Sequence, residues 1–169
     1  MHLRNKKLFS SYIKRASIAL AGGWMLVACS PDDNAFSEFE TLPGAEWRYT
    51  DSLSFTPAHM ADSIVEGTLL VAVRHTRGYR YRNIWLELAW QPVGEPDSST
   101  RFVRDTVNLE LADAYGRWLG HGSGASFMRE DTAARRFVLR KGGELRLRHI
   151  MRLDTLPDIE QAGVVFIPD

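Results

Sequence analysis

The segment GHGSG, residues 120–124, is the first place where the residue types suggest chemistry. Hydrolases with a G-x-S-x-G motif carry the serine in third position, on a sharp turn from a strand into a helix. Here Ser123 stands in the fourth position, and no strand-turn-helix pattern surrounds it. We therefore interpret the segment as a glycine-rich loop between strands, and the sequence supports no enzyme class.

The histidines could bind a metal only if the fold brought them together. Short zinc motifs place their ligands at close, regular spacings, and neither an i, i+4 spacing nor an adjacent carboxylate pattern occurs around His59, His75, His121 and His149. We expect no metal, no cofactor and no catalytic residue. His149 falls on the apolar face of a predicted strand, and we interpret it as a core histidine.

Cys29 is the only cysteine, so it cannot close an intramolecular disulfide. A basic segment without acidic residues and then the apolar run ASIALAGGWMLVA precede it, which is the order of a secretory signal peptide. Leu26, Val27 and Ala28 resemble the lipobox of bacterial lipoproteins. We expect cleavage after Ala28 and acyl chains on Cys29, because two or more chains anchor a protein stably in a membrane. The alternative is an incidental thiol in a plain signal peptide or membrane anchor.

Removal of the predicted signal peptide, residues 1–28, changes the charge of the protein. That segment holds five basic residues and no acidic ones, so 16 basic residues remain against 21 acidic ones. A net negative protein does not suit the phosphate backbone, and we exclude nucleic acid as a partner. We predict a lipidated acidic tether over residues 29–37 and one domain with its own core over residues 38–169.

The domain reads as β structure throughout. Only PAHMADSIVEG and LPDIEQAG could form a helical turn, and prolines and glycines cut both short. Several short strands at this spacing predict an all-β fold, a two-sheet antiparallel β-sandwich of the jelly-roll or immunoglobulin-like kind. The seven candidate strands alternate apolar and polar residues or are rich in β-branched and aromatic residues: DSLSF, GTLLVAVRH, NIWLELAWQ, RFVRDTVNLEL, RRFVLR, ELRLRHIM and GVVFI.

The segment RRFVLRKGGELRLRHIM predicts a hairpin. A two-residue loop would place its two apolar sets on opposite faces, because a one-residue slip inverts a strand. A three-residue loop at residues 141–143 avoids this. We therefore expect Leu139 to pair with Leu145 and Phe137 to pair with Leu147.

The segment RHTRGYRYRNIW, residues 74–85, interleaves arginines and tyrosines in a predicted connection between two strands. Tyrosine and arginine are enriched at binding hot spots. The alternative is that one or both tyrosines pack into the core and the arginines form a solvated face. The candidate residues for binding a protein partner are Arg77, Tyr79, Arg80, Tyr81 and Arg82.

Four stretches follow one another in an order that resembles the GldH family of gliding-motility lipoproteins from Bacteroidetes: WRYTDSLSF, VRHTRGYRYRNIWLELAW, DTVNLELADAYGRWLGHGSG and HIMRLDTLPDIEQAGVVFI. The resemblance implies an outer-membrane-associated lipoprotein linked to gliding and type IX secretion, without known enzymatic chemistry. The family pattern has a glycine before Ile159, where this chain has Asp158. The matching positions are Arg74, Tyr79, Asn83, Leu111, Ala112, Asp113, Gly116, Trp118, Leu119, Gly120, Gly122, Met151 and Arg152.

The block LADAYGRWLG, residues 111–120, is the most specific piece of this resemblance. Tyr115, Gly116 and Arg117 predict a turn that lets the large ring of Trp118 pack on the domain. Glycines at this spacing permit positive φ or a close approach of two backbones. We interpret Gly116, Trp118, Gly120 and Gly122 as a structural motif rather than a ligand site.

These features together predict a non-enzymatic envelope lipoprotein. We expect it to be anchored in the outer membrane, on the periplasmic face or at the cell surface, and to contact other proteins of a motility or secretion machine. The alternative is a lectin-like surface lipoprotein that stacks a glycan on exposed aromatic side chains. The candidates for that platform are Tyr79, Tyr81, Trp85, Trp90 and Trp118.

Overall fold

Eleven β-strands and one 3-10 helix, Pro43–Ala45, form the described part of the structure, a computed structural model that describes residues 32–94 and 101–169. Each of the seven predicted segments overlaps a strand. The strands are β1 (Phe36–Thr41), β2 (Glu46–Arg48), β3 (Leu53–Phe55), β4 (Ile64–Thr76), β5 (Asn83–Trp90), β6 (Val103–Glu110), β7 (His121–Ser123), β8 (Ser126–Arg140), β9 (Leu145–His149), β10 (Thr155–Pro157) and β11 (Ile159–Pro168).

The strands form two large antiparallel sheets that pack against each other. The first sheet has the order β1-β11-β4-β8-β7, and the second has the order β3-β9-β5-β6. A small sheet of β10 and β2 adds the buried Trp47 and Leu156 to the core. The predicted all-β sandwich is confirmed.

Alternation along the strands places the core between the two large sheets. Leu69, Val71 and Val73 of β4 are fully buried, as are Leu86 and Leu88 of β5. Burial of each such side chain contributes roughly 1.5–3 kcal/mol. The other face of each strand points away from the opposite sheet.

The predicted hairpin of residues 137–147 is wrong. β8 pairs with β4 and β7, whereas β9 pairs with β3 and β5, so the turn after β8 carries the chain from one sheet to the other. The apolar residues of both strands are nevertheless buried, at Phe137, Leu139, Leu145 and Leu147. A crossing between sheets satisfies the same hydrophobic pattern as a hairpin, because both arrangements turn the two apolar rows toward one core.

The predicted tether also ends earlier than expected. β1 begins at Phe36 and pairs with β11 along its whole length, so the end of segment 29–37 belongs to the domain. Just before the strand, the Asn34 amide donates to Asp62 Oδ2, and Asp62 N donates to Asn34 Oδ1, both at 2.9 Å. The segment LPDIEQAG forms β10 and the start of β11 rather than a helical turn.

Candidate partner-docking surface

The connection from β4 to β5, residues 77–82, is fixed to its neighbours by backbone hydrogen bonds. Arg77 N donates to Ala125 O at 2.8 Å, on the turn between β7 and β8. Leu111 N and Ala112 N donate to Arg82 O at 2.7 and 2.9 Å. Because both ends are held, the side chains between them are presented on a rigid base.

Tyr79 belongs to the core rather than to a surface. Its side chain is 4% exposed, and its ring packs against His75 and Tyr81. Its hydroxyl donates to Asn83 O at 3.1 Å, and burial raises the pKa of that hydroxyl. The prediction that Tyr79 contacts a partner is therefore corrected, since its ring and its hydroxyl are both used within the domain.

Arg80, Tyr81 and Arg82, which we call the 80–82 surface, are all exposed, Tyr81 by 38%. Among the described residues, no hydrogen bond or ion pair involves the guanidinium of Arg80 or Arg82. Arg77 is exposed as well, but its guanidinium donates to Gly124 O at 2.8 Å. The 80–82 surface thus offers one aromatic ring and two guanidinium groups without a carboxylate partner in the described part of the chain.

Asp158 fixes the start of the connection. Thr76 N donates to Asp158 O at 2.9 Å, the Thr76 hydroxyl donates to Asp158 Oδ1, and Gly78 N donates to Thr76 Oγ1 at 3.0 Å. Asp158 has a φ of 67°, in the left-handed region that favours glycine. The structure therefore explains the glycine that the resemblance implies at this position, and it shows how the aspartate is used instead.

The loop after β6 is closed by Asp113. Asp113 Oδ1 accepts hydrogen bonds from Tyr115 N and Arg117 N at 2.8 and 2.9 Å, and Oδ2 lies 2.7 Å from Arg117 Nε. The bond from the Arg117 backbone is the main reason why the pKa of Asp113 is lowered. Gly116 adopts a φ of 77° within this loop. The predicted turn at residues 115–117 is confirmed.

Trp118 anchors this loop to the first sheet. Its side chain is half-buried and packs against the core, with its ring centroid 4.5 Å from that of His75 and 6.0 Å from that of Phe127. A bridge between Ala112 and Trp118 closes the loop behind it. These contacts use Trp118 within the domain and support a structural role.

Gly120 and Gly122 allow β7 to lie close to β8. A Cβ atom on Gly120 would lie 2.2 Å from Met128 O, and one on Gly122 would lie 2.2 Å from Ser126 O. Residues 121–123 form a strand that pairs with β8, so the predicted glycine-rich loop is reduced to the turn at residues 124–125. The glycines serve backbone packing.

The two buried histidines are parts of the core. His149 Nε2 donates to Trp47 O at 3.1 Å, and His75 Nδ1 donates to Thr76 O at 2.9 Å. Burial lowers the pKa of both rings. The interpretation of His149 as a core histidine is confirmed. Within residues 32–94 and 101–169, no three His, Cys, Asp or Glu side chains are placed to hold a metal ion.

The aromatic residues considered for a glycan platform divide into two groups. Tyr79 is buried, and Trp90 and Trp118 are half-buried against the core. Tyr81 and Trp85 are 38% and 43% exposed. Only the second group presents a ring to solvent to an extent that suits stacking on a sugar.

Cys29 and the predicted signal peptide lie outside the described residues. In the part that is described, no helix has the length and apolar character needed to cross a membrane.

Residues 34–166 match the family model described as GldH lipoprotein. That range runs from the residues before β1 into β11, and it includes the 80–82 surface and the block LADAYGRWLG, residues 111–120. No curated protein matches the chain.

Proposed function

The chain belongs to the GldH lipoprotein family, and from this premise we propose that it is a non-enzymatic component of the gliding-motility and type IX secretion apparatus. The family is one of lipid-anchored lipoproteins. In this proposal the domain holds no substrate. It acts by binding another protein of the cell envelope.

The 80–82 surface is the observation that carries the docking part of this proposal. Among the described residues, five arginines form an ion pair with a carboxylate of their own domain, for example Arg117 with Asp113 and Arg148 with Glu87. The guanidinium groups of Arg80 and Arg82 make no such pair within the described residues. Arginines that are not neutralised internally, beside an exposed tyrosine, have the composition of a protein-binding hot spot.

We further propose that Cys29 carries the lipid anchor and that the protein resides in the outer membrane. The apolar run and the lipobox resemblance before Cys29 support this, together with the lipoprotein family match. The few residues between Cys29 and β1 are polar and acidic, which suits a short connection to the membrane surface. A partner within the same membrane would thereby be concentrated near the domain.

Deletion of the gene, with complementation, tests the proposed function. The deletion strain should lose spreading on agar, release of secreted proteins, or both, and the wild-type gene should restore what is lost. A gene carrying Arg80→Ala and Tyr81→Ala should fail to restore it at normal protein abundance. A deletion strain that spreads and secretes like its parent would contradict the proposal.

A further inference from the structure

A cavity of about 320 Å³ opens on the outer face of the second sheet, above Ala89. Ala89 of β5 is paired with Arg146 of β9 on one side and with Arg104 of β6 on the other. A single methyl group therefore lies between two arginine side chains in one outward row. We call this feature the Ala89 notch.

The ion pairs around the notch leave Arg104 with few hydrogen-bond acceptors. Arg148 binds Glu87 through two hydrogen bonds at 2.9 and 3.1 Å. Arg104 Nε approaches the same carboxylate only to 3.6 Å, and the Arg104 side chain is 62% exposed. Because a bidentate pair already occupies Glu87, most of the hydrogen-bond donors of Arg104 have no acceptor among the described residues.

Arg146, the other arginine of this row, is held in place by an ion pair and a ring contact. Arg146 binds Glu144 at 2.8 and 3.0 Å, and its guanidinium lies 4.0 Å above the ring centroid of Phe102. Among the described residues, three arginines line the notch and two glutamates pair with them, which leaves one net positive charge at Arg104. The methyl group of Ala89 and the ring of Phe102 provide an apolar floor and wall.

We propose that the Ala89 notch binds a carboxylate carried by an acidic protein segment. A guanidinium matches a carboxylate in a two-point geometry, and one carboxylate balances the single excess charge. A phosphate dianion would place a second negative charge beside Glu87 and Glu144, which disfavours it. The apolar floor suits the short aliphatic stem of a Glu or Asp side chain.

The surroundings of the notch suit a peptide chain rather than a free small acid. Trp85 lies on the same outward face of β5, is 43% exposed, and is about 13 Å from Ala89 along the strand. An extended segment of four or more residues could contact both positions. This inference goes beyond the 80–82 surface and does not depend on it, because it concerns other residues and a model peptide can test it.

The test uses the full-length lipoprotein in detergent micelles and a fluorescein-labelled acetyl-hexaglutamate peptide, followed by fluorescence polarisation. Hexaglutamate should bind, and the neutral hexaglutamine should not. Arg104→Gln should weaken binding at least tenfold, and so should Ala89→Leu, which fills the notch and keeps every charge. Arg135→Ala removes an exposed arginine from β8, on the other sheet, and should leave affinity unchanged.

Melting temperatures separate loss of the site from loss of the fold. Equal affinity in wild type and Arg104→Gln would overturn the proposal, and if Ala89→Leu unfolds, Arg104→Gln alone decides. Equal weakening by Arg104→Gln and Arg135→Ala would also overturn it, since the peptide would then sense only total charge. Inorganic phosphate that displaces the peptide at lower concentration than propionate, a monocarboxylate, would overturn the assignment of a carboxylate.

Discussion

The carboxylate of Asp158 occupies the space that a side chain on Gly78 would need. A Cβ atom on Gly78 would lie 2.6 Å from Asp158 Oδ1. The carboxylate cannot easily move away, because the Thr76 hydroxyl donates to the same oxygen. Asp158, the positive-φ residue between β10 and β11, and the turn that begins the candidate docking connection are therefore structurally coupled.

A double-mutant cycle tests this coupling. Gly78→Ala should lower the free energy of unfolding by about 1–2 kcal/mol, the contribution of the hydrogen bond that Asp158 must give up. Asp158→Gly should be close to neutral, since relief of the positive φ offsets the lost hydrogen bond. In the Asp158→Gly background, Gly78→Ala should cost almost nothing. Additive penalties in urea denaturation would show that the two residues are independent.

Gly116 and Gly120 form a matched pair, because both have a positive φ and only one is crowded. Nothing lies within 4 Å of a Cβ on Gly116, whereas a Cβ on Gly120 would overlap Met128 O. Gly116→Ala should cost about 1–2 kcal/mol of stability for its backbone conformation alone. Gly120→Ala should cost roughly 1–3 kcal/mol more because of the overlap. Similar melting temperatures for the two variants would contradict the close approach of β7 to β8.

The lowered pKa of Asp113 predicts that the stability of the domain depends on pH. The bonds from Arg117 lower its pKa in the folded protein below the unfolded value of about 3.9. The ionised form is therefore favoured by folding, so its contribution is present above about pH 4 and is lost as the pH falls through the lower folded pKa. Asp113→Asn should melt at a lower temperature than wild type at neutral pH, and the difference should shrink in acid. A difference that does not change with pH would mean that charge is not involved.

The predicted anchor rests on Cys29 alone. Cys29→Ser should abolish labelling by a palmitate analogue and leave either uncleaved precursor or protein that is released from membranes. The comparison of labelled and membrane-bound fractions with wild type measures this. Normal processing with full membrane retention would contradict the assignment of Cys29 as the lipidated residue.

The sequence predicts the strands correctly where the local hydrophobic pattern agrees with the burial of the side chains. Alternation and β-branched or aromatic enrichment predict seven of the strands, whereas the sequence does not predict β1, β2, β7 and β10, and three of these four are only three residues long and depend on their pairing partners. The sequence predicts a hairpin at the turn after β8, because a hairpin and a crossing between sheets leave the same apolar face inward. Tyr79 and Tyr81 have similar local contexts, and only the packing of His75 and the position of Asn83 O decide which ring is buried. The Ala89 notch had no sequence signal, since it arises from pairing across three strands.

Recovery of the partner from cross-linked cells tests the account most directly. The test compares wild type, a variant with Arg80→Ala and Tyr81→Ala, and a matched control with Tyr115→Ala and Arg135→Ala, which removes an exposed tyrosine and an exposed arginine elsewhere. Both double variants should stay folded, because exposed substitutions usually change stability by about 0.5 kcal/mol or less. Loss of hot-spot residues commonly costs about 2 kcal/mol of binding, roughly a thirtyfold change.

We expect affinity purification to recover the same envelope protein with wild type and with the matched control. We expect a strong loss of that protein with the Arg80→Ala and Tyr81→Ala variant at an unchanged melting temperature. Undiminished recovery with this folded variant would contradict the assignment of the 80–82 surface as the docking site.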